Sequence, residues 1–94
     1  MGERQRYVDA LVTAGQRALV SGDLDRAKKL SKRLQKAEPD GAAGKLLMGD
    51  IHRAKDEHRH AIRLYGSTGS PAGLDRIAEL LGDQPGVIEP RELL

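Results

Sequence analysis

Two stretches of this chain carry the same marks 34 residues apart. Gly15 is answered by Gly49, Ala27 by Ala61, Leu30 by Leu64, and Ser31 by Tyr65. The stretches LVTAGQRALVSGDLDRAKKLSKRLQKAEP and KLLMGDIHRAKDEHRHAIRLY each read as helix, polar break, helix. An internal period of this length narrows the choice of fold. Each unit is a pair of helices too small to bury its own apolar face, so successive units must stack on one another. No segment alternates apolar and polar residues as a half-buried strand would. An all-α fold follows.

The first helical pattern starts from Tyr7, with residues 1 to 6 read as a frayed polar end. Tyr7, Ala10, Leu11, Ala14 and Ala18 mark one buried face, and Val8, Val12 and Leu19 a second stripe beside it. Gly22 suits the left-handed residue that ends a helix, and Asp23 the cap of the next. The second helix spans about Leu24 to Ala37, with Leu24, Ala27, Leu30, Leu34 and Ala37 inward, and stops before Pro39. Asp40 or Gly41 caps a third, about Ala42 to Ala54, with Leu47, Met48, Ile51 and His52 inward. Asp56 caps a fourth, about Glu57 to Tyr65. Residues 66 to 70, GSTGS, read as a flexible link. Ser70-Pro71 starts a short fifth helix with Leu74, Ile77, Ala78 and Leu81 on its apolar side, ended by Gly82. The result is one helical domain over residues 1–82, with units at about 8–41 and 42–66 and a capping helix at about 71–81. An irregular tail covers 83–94, where Val87, Ile88, Leu93 and Leu94 form a candidate docking motif.

Gly15 opposite Ala27, and Gly49 opposite Ala61, would let paired helices approach closely. At this point the chain resembles the tetratricopeptide repeat family. Ala14, Gly15, Ala27 and Pro39 match that pattern in the first unit, and Met48, Gly49, Ala61 and Tyr65 in the second. The resemblance covers about Tyr7 to Tyr65. It departs at Asp56, where a turn glycine is usual, and at Ala18 and His52, where a large aromatic is common. The second unit also breaks early, at Gly66, with no closing proline. The plainer alternative is a helical bundle whose alanines fall into register by chance. Two units are few for a stable stack, so the fifth helix would supply a covering layer, or a second copy would.

The resemblance implies a non-catalytic module that holds a peptide or helix in a groove lined by the first helix of each unit. Carried across, that groove is Val12, Gln16 and Leu19 with Leu46, Asp50 and Arg53. Some members grip a terminal carboxylate with basic and amide side chains. Asp50 would repel one, so an apolar or amphipathic helix is the better fit. The plainer reading is that these side chains only contact the fifth helix. The second helix offers a competing surface. Arg26, Lys28, Lys29, Lys32, Arg33 and Lys36 could meet phosphates, although no interleaved aromatic is there to stack bases. A solvated outer face explains the same residues, and a net charge of +2 is too near neutral to decide for nucleic acid. Nucleic acid therefore ranks behind a protein partner, and a structural homo-oligomer is a further alternative.

Catalysis finds little support in the sequence. His58 and His60 are two apart on a helix, where metal ligands sit three or four apart, and His52 reads as a core or semi-core histidine. His52, Asp56 and His58 could converge across the turn, but that is a poor ligand set. There is no cysteine, no nucleophile elbow and no phosphate loop behind a strand. The expectation is no enzyme, no metal and no cofactor. No apolar run approaches the roughly 20 residues of a membrane span. The leading residues MGERQRYVDAL lack a secretory signal and a myristoylation pattern, so a cytoplasmic, membrane-free protein is expected. From Leu74 to Leu94 five acids face two arginines, so a basic body carries an acidic end that could fold onto its own body or onto a second copy.

Overall fold

The computed structural model describes residues 2–87, and these form five α-helices with no strand among them. They are α1 (Gly2–Ser21), α2 (Leu24–Ala37), α3 (Ala43–Ala54), α4 (His58–Ser67) and α5 (Pro71–Asp83). None is long and apolar enough to cross a membrane among the described residues. The expectations placed on Ile88, Leu93, Leu94 and the end of the tail lie outside the described residues.

The α1–α2 turn works as its residues suggest. Gly22 takes a φ of +80°, and Asp23 Oδ1 accepts from the Arg26 amide at 3.1 Å. The Asp23 amide reaches back to the Ala18 carbonyl at 2.8 Å and the Gly22 amide to that of Leu19 at 3.1 Å, so the last carbonyls of α1 are satisfied. The same bonds recur 34 residues on. The Glu57 amide meets His52 O at 2.8 Å and the Asp56 amide meets Arg53 O at 3.0 Å. Asp56 therefore does not cap α4. It holds the left-handed position with a φ of +61°, and Glu57 stands at the cap without its side chain bonding a helix amide. Asp is among the few residues with a Cβ that enter this region at modest cost.

Helices adjacent in sequence are packed together, and α3 also lies against α1. The start of α1 reaches the end of α2, where the Arg4 guanidinium donates to the Ala37 carbonyl. That bond, with Gln5 donating to Asp9 at 2.8 Å, orders a segment the sequence reads as frayed. Residues of α3 meet residues of α5 in ascending order, Asp50 to Arg76 and Arg53 to Glu79 and Asp83. The two helices therefore run the same way, linked by these arginine side chains.

The core falls into two clusters. Val8, Leu11 and Ala18 of α1, Ala27, Leu30 and Leu34 of α2, and Leu47 and Ile51 of α3 form the larger one. Ala61 and Tyr65 of α4 with Leu80 of α5 form the smaller. The inward face of α1 is thus rotated from the expected stripe: Val8 is buried, while Ala10 is exposed and Tyr7 is half-exposed. In α2 the stripe is as read from the sequence, with Ser31 added. Its hydroxyl, wholly buried, donates to the Gly44 carbonyl at 2.7 Å. In α3, Met48 and His52 are only partly buried.

The close approaches differ in their partners from the sequence reading. The space a Cβ would need at Gly15 is taken by Leu47 of α3 at 2.5 Å, not by Ala27. At Gly49 it is taken by the Tyr65 ring at 2.5 Å. Two further glycines make the contacts between successive units. Gly44 lies against Ser31 and Gln35 of α2, and Gly73 lies against the Tyr65 carbonyl of α4. Gly73 rather than Leu74 therefore faces inward. Leu80 and Ile77 turn toward α4, and Leu74 and Ala78 are left exposed. The 66–70 link is also no loose tether. α4 continues to Ser67, Thr68 Oγ1 donates to Tyr65 O at 2.7 Å, and Ser70 Oγ accepts from the Gly73 amide at 3.2 Å.

Candidate partner-binding groove

Residues four apart on a helix share a face. Val12 and Gln16 do so on α1, and Leu46 and Asp50 on α3. These four meet around one depression of about 80 Å³, floored by Leu34 and Leu47 and closed on the α5 side by Arg76. The remaining two expected groove residues do not join it. Leu19 is partly buried against the larger core cluster. Arg53 turns to α5, with Nη2 2.7 Å from Asp83 Oδ2 and Nη1 3.7 Å from Glu79 Oε2. That ion pair suits the end of α3, where a cation faces the negative end of the helix dipole.

Asp50 is not the free carboxylate that its position suggests. Its Oδ1 accepts from Tyr65 Oη at 2.5 Å, and Arg76 Nε approaches both oxygens, at 3.0 and 3.3 Å. Asp50 is 22% exposed and Arg76 29%, so the pair is partly withdrawn from water and its charges offset each other. Tyr65 is wholly buried. Burial first, and then the Asp50 bond and charge, hold its phenol proton on well above the ordinary 10.0. The groove wall on this side is therefore polar but neutral. Arg76 belongs to the site and escaped the sequence reading, because nothing in the chain fixes the register of α5 against α3. The signal present in sequence was weak: an arginine whose helix otherwise carries only acids, Asp75, Glu79 and Asp83.

The basic residues Arg26, Lys28, Lys29, Lys32, Arg33 and Lys36 are all exposed on α2. Arg26, Lys29 and Arg33 line a shallow depression there together with Asp23 and Asp25, so acids interrupt its positive field.

The histidines gather at the α3–α4 turn. His52 stacks on His60 with ring centroids 5.3 Å apart, and His52 Nδ1 lies 3.2 Å from Glu57 Oε1. His58 Nε2 is 3.7 Å from Asp56 Oδ1. His52 thus pairs with Glu57, and His58 lies near Asp56, so the three side chains that could have converged across the turn are held in separate pairs. No group of three such side chains is placed to hold a metal ion among the described residues. No protein-family model, curated protein or solved structure matches the chain.

Proposed function

We propose that this protein is a non-catalytic interaction module of tetratricopeptide-like build, which holds an apolar or amphipathic helical segment of another protein against α1 and α3. The observation that carries this reading is the meeting of Val12, Gln16, Leu46 and Asp50 around one depression, with the Asp50 charge offset by Arg76. Two apolar side chains, one exposed amide and a neutralised carboxylate suit the apolar face of a helix with a polar edge. They do not suit a terminal carboxylate, which finds no free cation on this wall. The identical turn bonds at Ala18–Asp23 and His52–Glu57 support the repeat reading, since they place α2 and α4 alike on their partners.

The test is selection of helical peptides from a displayed library, followed by amide chemical-shift mapping on labelled protein. Shifts should gather at Val12, Gln16, Leu46 and Asp50, and Gln16→Arg, at an exposed position, should weaken binding while leaving helical content unchanged. Leu46→Glu is a poorer probe, because Leu46 also packs against the Ala61–Tyr65–Leu80 cluster. Shifts confined to Lys28, Lys29, Lys32 and Arg33, with binding to oligonucleotides that falls steeply with salt, would overturn the groove in favour of nucleic acid.

A further inference from the structure

The stack is open at both ends among the described residues, and the two open faces match. Gly44 of α3 approaches α2 at Ser31, and Gly73 of α5 approaches α4 at Tyr65. Ser31 and Tyr65 are 34 residues apart, so α5 occupies on α4 the place that α3 occupies on α2. α3 has a following helix, α4, whose Tyr65 fills the space beside Gly49. Five residues after Gly44 comes Gly49, and five after Gly73 comes Ala78. Ala78 is exposed, and so are its neighbours on that face, Pro71 and Leu74, the last at 66%. No helix among the described residues plays for α5 the part that α4 plays for α3.

At the other end, no helix precedes α1 among the described residues. The residue 34 before Gly44, which brings α3 onto α2, is Ala10, and Ala14 lies four residues on along the same face. Ala10, Thr13, Ala14, Arg17 and Ser21, with Arg26 from α2, line an open depression of about 630 Å³. Tyr7, half-exposed, lies three residues before Ala10 and so on the same face of α1. The stripes Tyr7–Ala10–Ala14–Arg17 and Pro71–Leu74–Ala78–Leu81 both follow the alternating three- and four-residue spacing of a helix-to-helix seam.

Charge distinguishes a second copy from other occupants. On α5 the single cation, Arg76, is held by Asp50, and Arg53 of α3 pairs with Asp83 and Glu79, so Asp75 is the acid left unpaired among the described residues and the edge keeps a negative balance, Asp50, Asp75, Glu79 and Asp83 against Arg53 and Arg76. The α1 depression is rimmed by Arg17 and Arg26. Against these two cations it holds one acid, Asp9, so its rim keeps a positive balance. We propose that the protein stacks on copies of itself head to tail, the Leu74–Ala78 face of α5 seating against the Tyr7–Ala10–Ala14 face of α1 in the next copy, acidic rim to arginine rim. The two faces are different patches, so the contact is heterologous and grows as an open chain rather than closing as a two-fold dimer. This surface is separate from the groove at Val12 and Leu46 and does not depend on it.

The test is sedimentation velocity on the whole chain at low salt, from micromolar to millimolar concentration. The mass average should rise without a plateau at the dimer and fall back with added salt. The variants Asp75→Arg and Arg17→Glu/Arg26→Glu change exposed side chains only, which circular dichroism checks. Each alone should weaken assembly by about tenfold or more, because like charges then face each other. Mixed in equal amounts they should recover it, because every contact in an alternating chain again joins opposite charges. A wild type that stays monomeric, a plateau at the dimer, or a mixture that does not recover would each overturn the proposal. A monomeric wild type would also mean that the α5 face is covered by residues 88–94 or by a different protein.

Discussion

Gly73→Ala tests how α5 is held. A Cβ built there would stand 2.3 Å from the Tyr65 carbonyl oxygen, 2.4 Å from Thr68 Oγ1 and 3.2 Å from the Tyr65 carbonyl carbon. The nearest atom is backbone in the last full turn of α4, so it cannot swing aside as a side-chain tip could. α5 would have to retreat by roughly 1 Å to reach an ordinary contact. A gap of that size forfeits about a quarter to a half of the packing of the groups across it. Leu80, wholly buried, bears most of that loss, since full burial of a leucine contributes about 1.5–3 kcal/mol. Strain of about 1–3 kcal/mol from the added methyl acts in the same direction. Alanine's helix propensity offsets about 1 kcal/mol. The net expectation is a loss of about 1–3 kcal/mol, each kcal/mol lowering Tm by about 4–8 °C in a chain of this size. Gly82→Ala is the control in the same helix. Nothing lies within 4 Å of its Cβ position, so it should be neutral or stabilising by up to about 1 kcal/mol. Urea and thermal unfolding followed by circular dichroism measure both. A Gly73→Ala protein as stable as wild type, or more so, would refute the close approach of α5 to α4.

Two further outcomes follow from side chains already described. Asp56→Gly should raise stability by about 0.5–1 kcal/mol in urea unfolding, since glycine takes the φ of +61° without a Cβ penalty; an unchanged or lower midpoint would mean the Asp56 carboxylate contributes at the turn. The folded state keeps the Tyr65 proton beyond the ordinary 10.0 while the unfolded state gives it up there, so the Tyr65 contribution is intact below pH 10.0 and is lost as pH rises above it. Tyr65→Phe should therefore narrow its stability gap to wild type as alkaline pH rises, and a gap that does not change with pH would contradict the burial of that phenol.

Much of the fold was legible because its signals are local. α2 runs from Leu24 to Ala37 as read, since a glycine, a capping aspartate and a proline fix it within a few residues of itself. Ser70-Pro71 starts α5 for the same reason. The errors lie where a second element decides. Tyr7 and Ala10 keep helical spacing, yet α2 and α3 approach α1 from the side of Val8, Leu11 and Gly15. Leu74 and Ala78 continue the apolar pattern of α5, but Gly73 brings the opposite side of that helix against α4. The GSTGS stretch has the composition of a tether, and its hydroxyls bond the ends of α4 and α5 instead. The depression between α1 and α3 was legible in part for the same reason. Val12, Gln16, Leu46 and Asp50 follow from the 34-residue offset, whereas Arg76 depends on a loop five residues shorter than the offset predicts.

The division of the apolar interior has a consequence for how the chain comes apart. α1, α2 and half of α3 share one set of buried side chains, and α4 and α5 share a smaller set around Tyr65. Among the described residues α3 alone touches both, through Leu47 and Ile51 on one side and Leu46 and the Asp50–Tyr65 bond on the other. Opening can therefore begin at the α4–α5 end while the first hairpin stays folded, so amide protection should be graded along the chain, with the amides of α2 the slowest to exchange. Whatever binds across Asp50 and Arg76 would tie the two halves together and make the chain open as one unit.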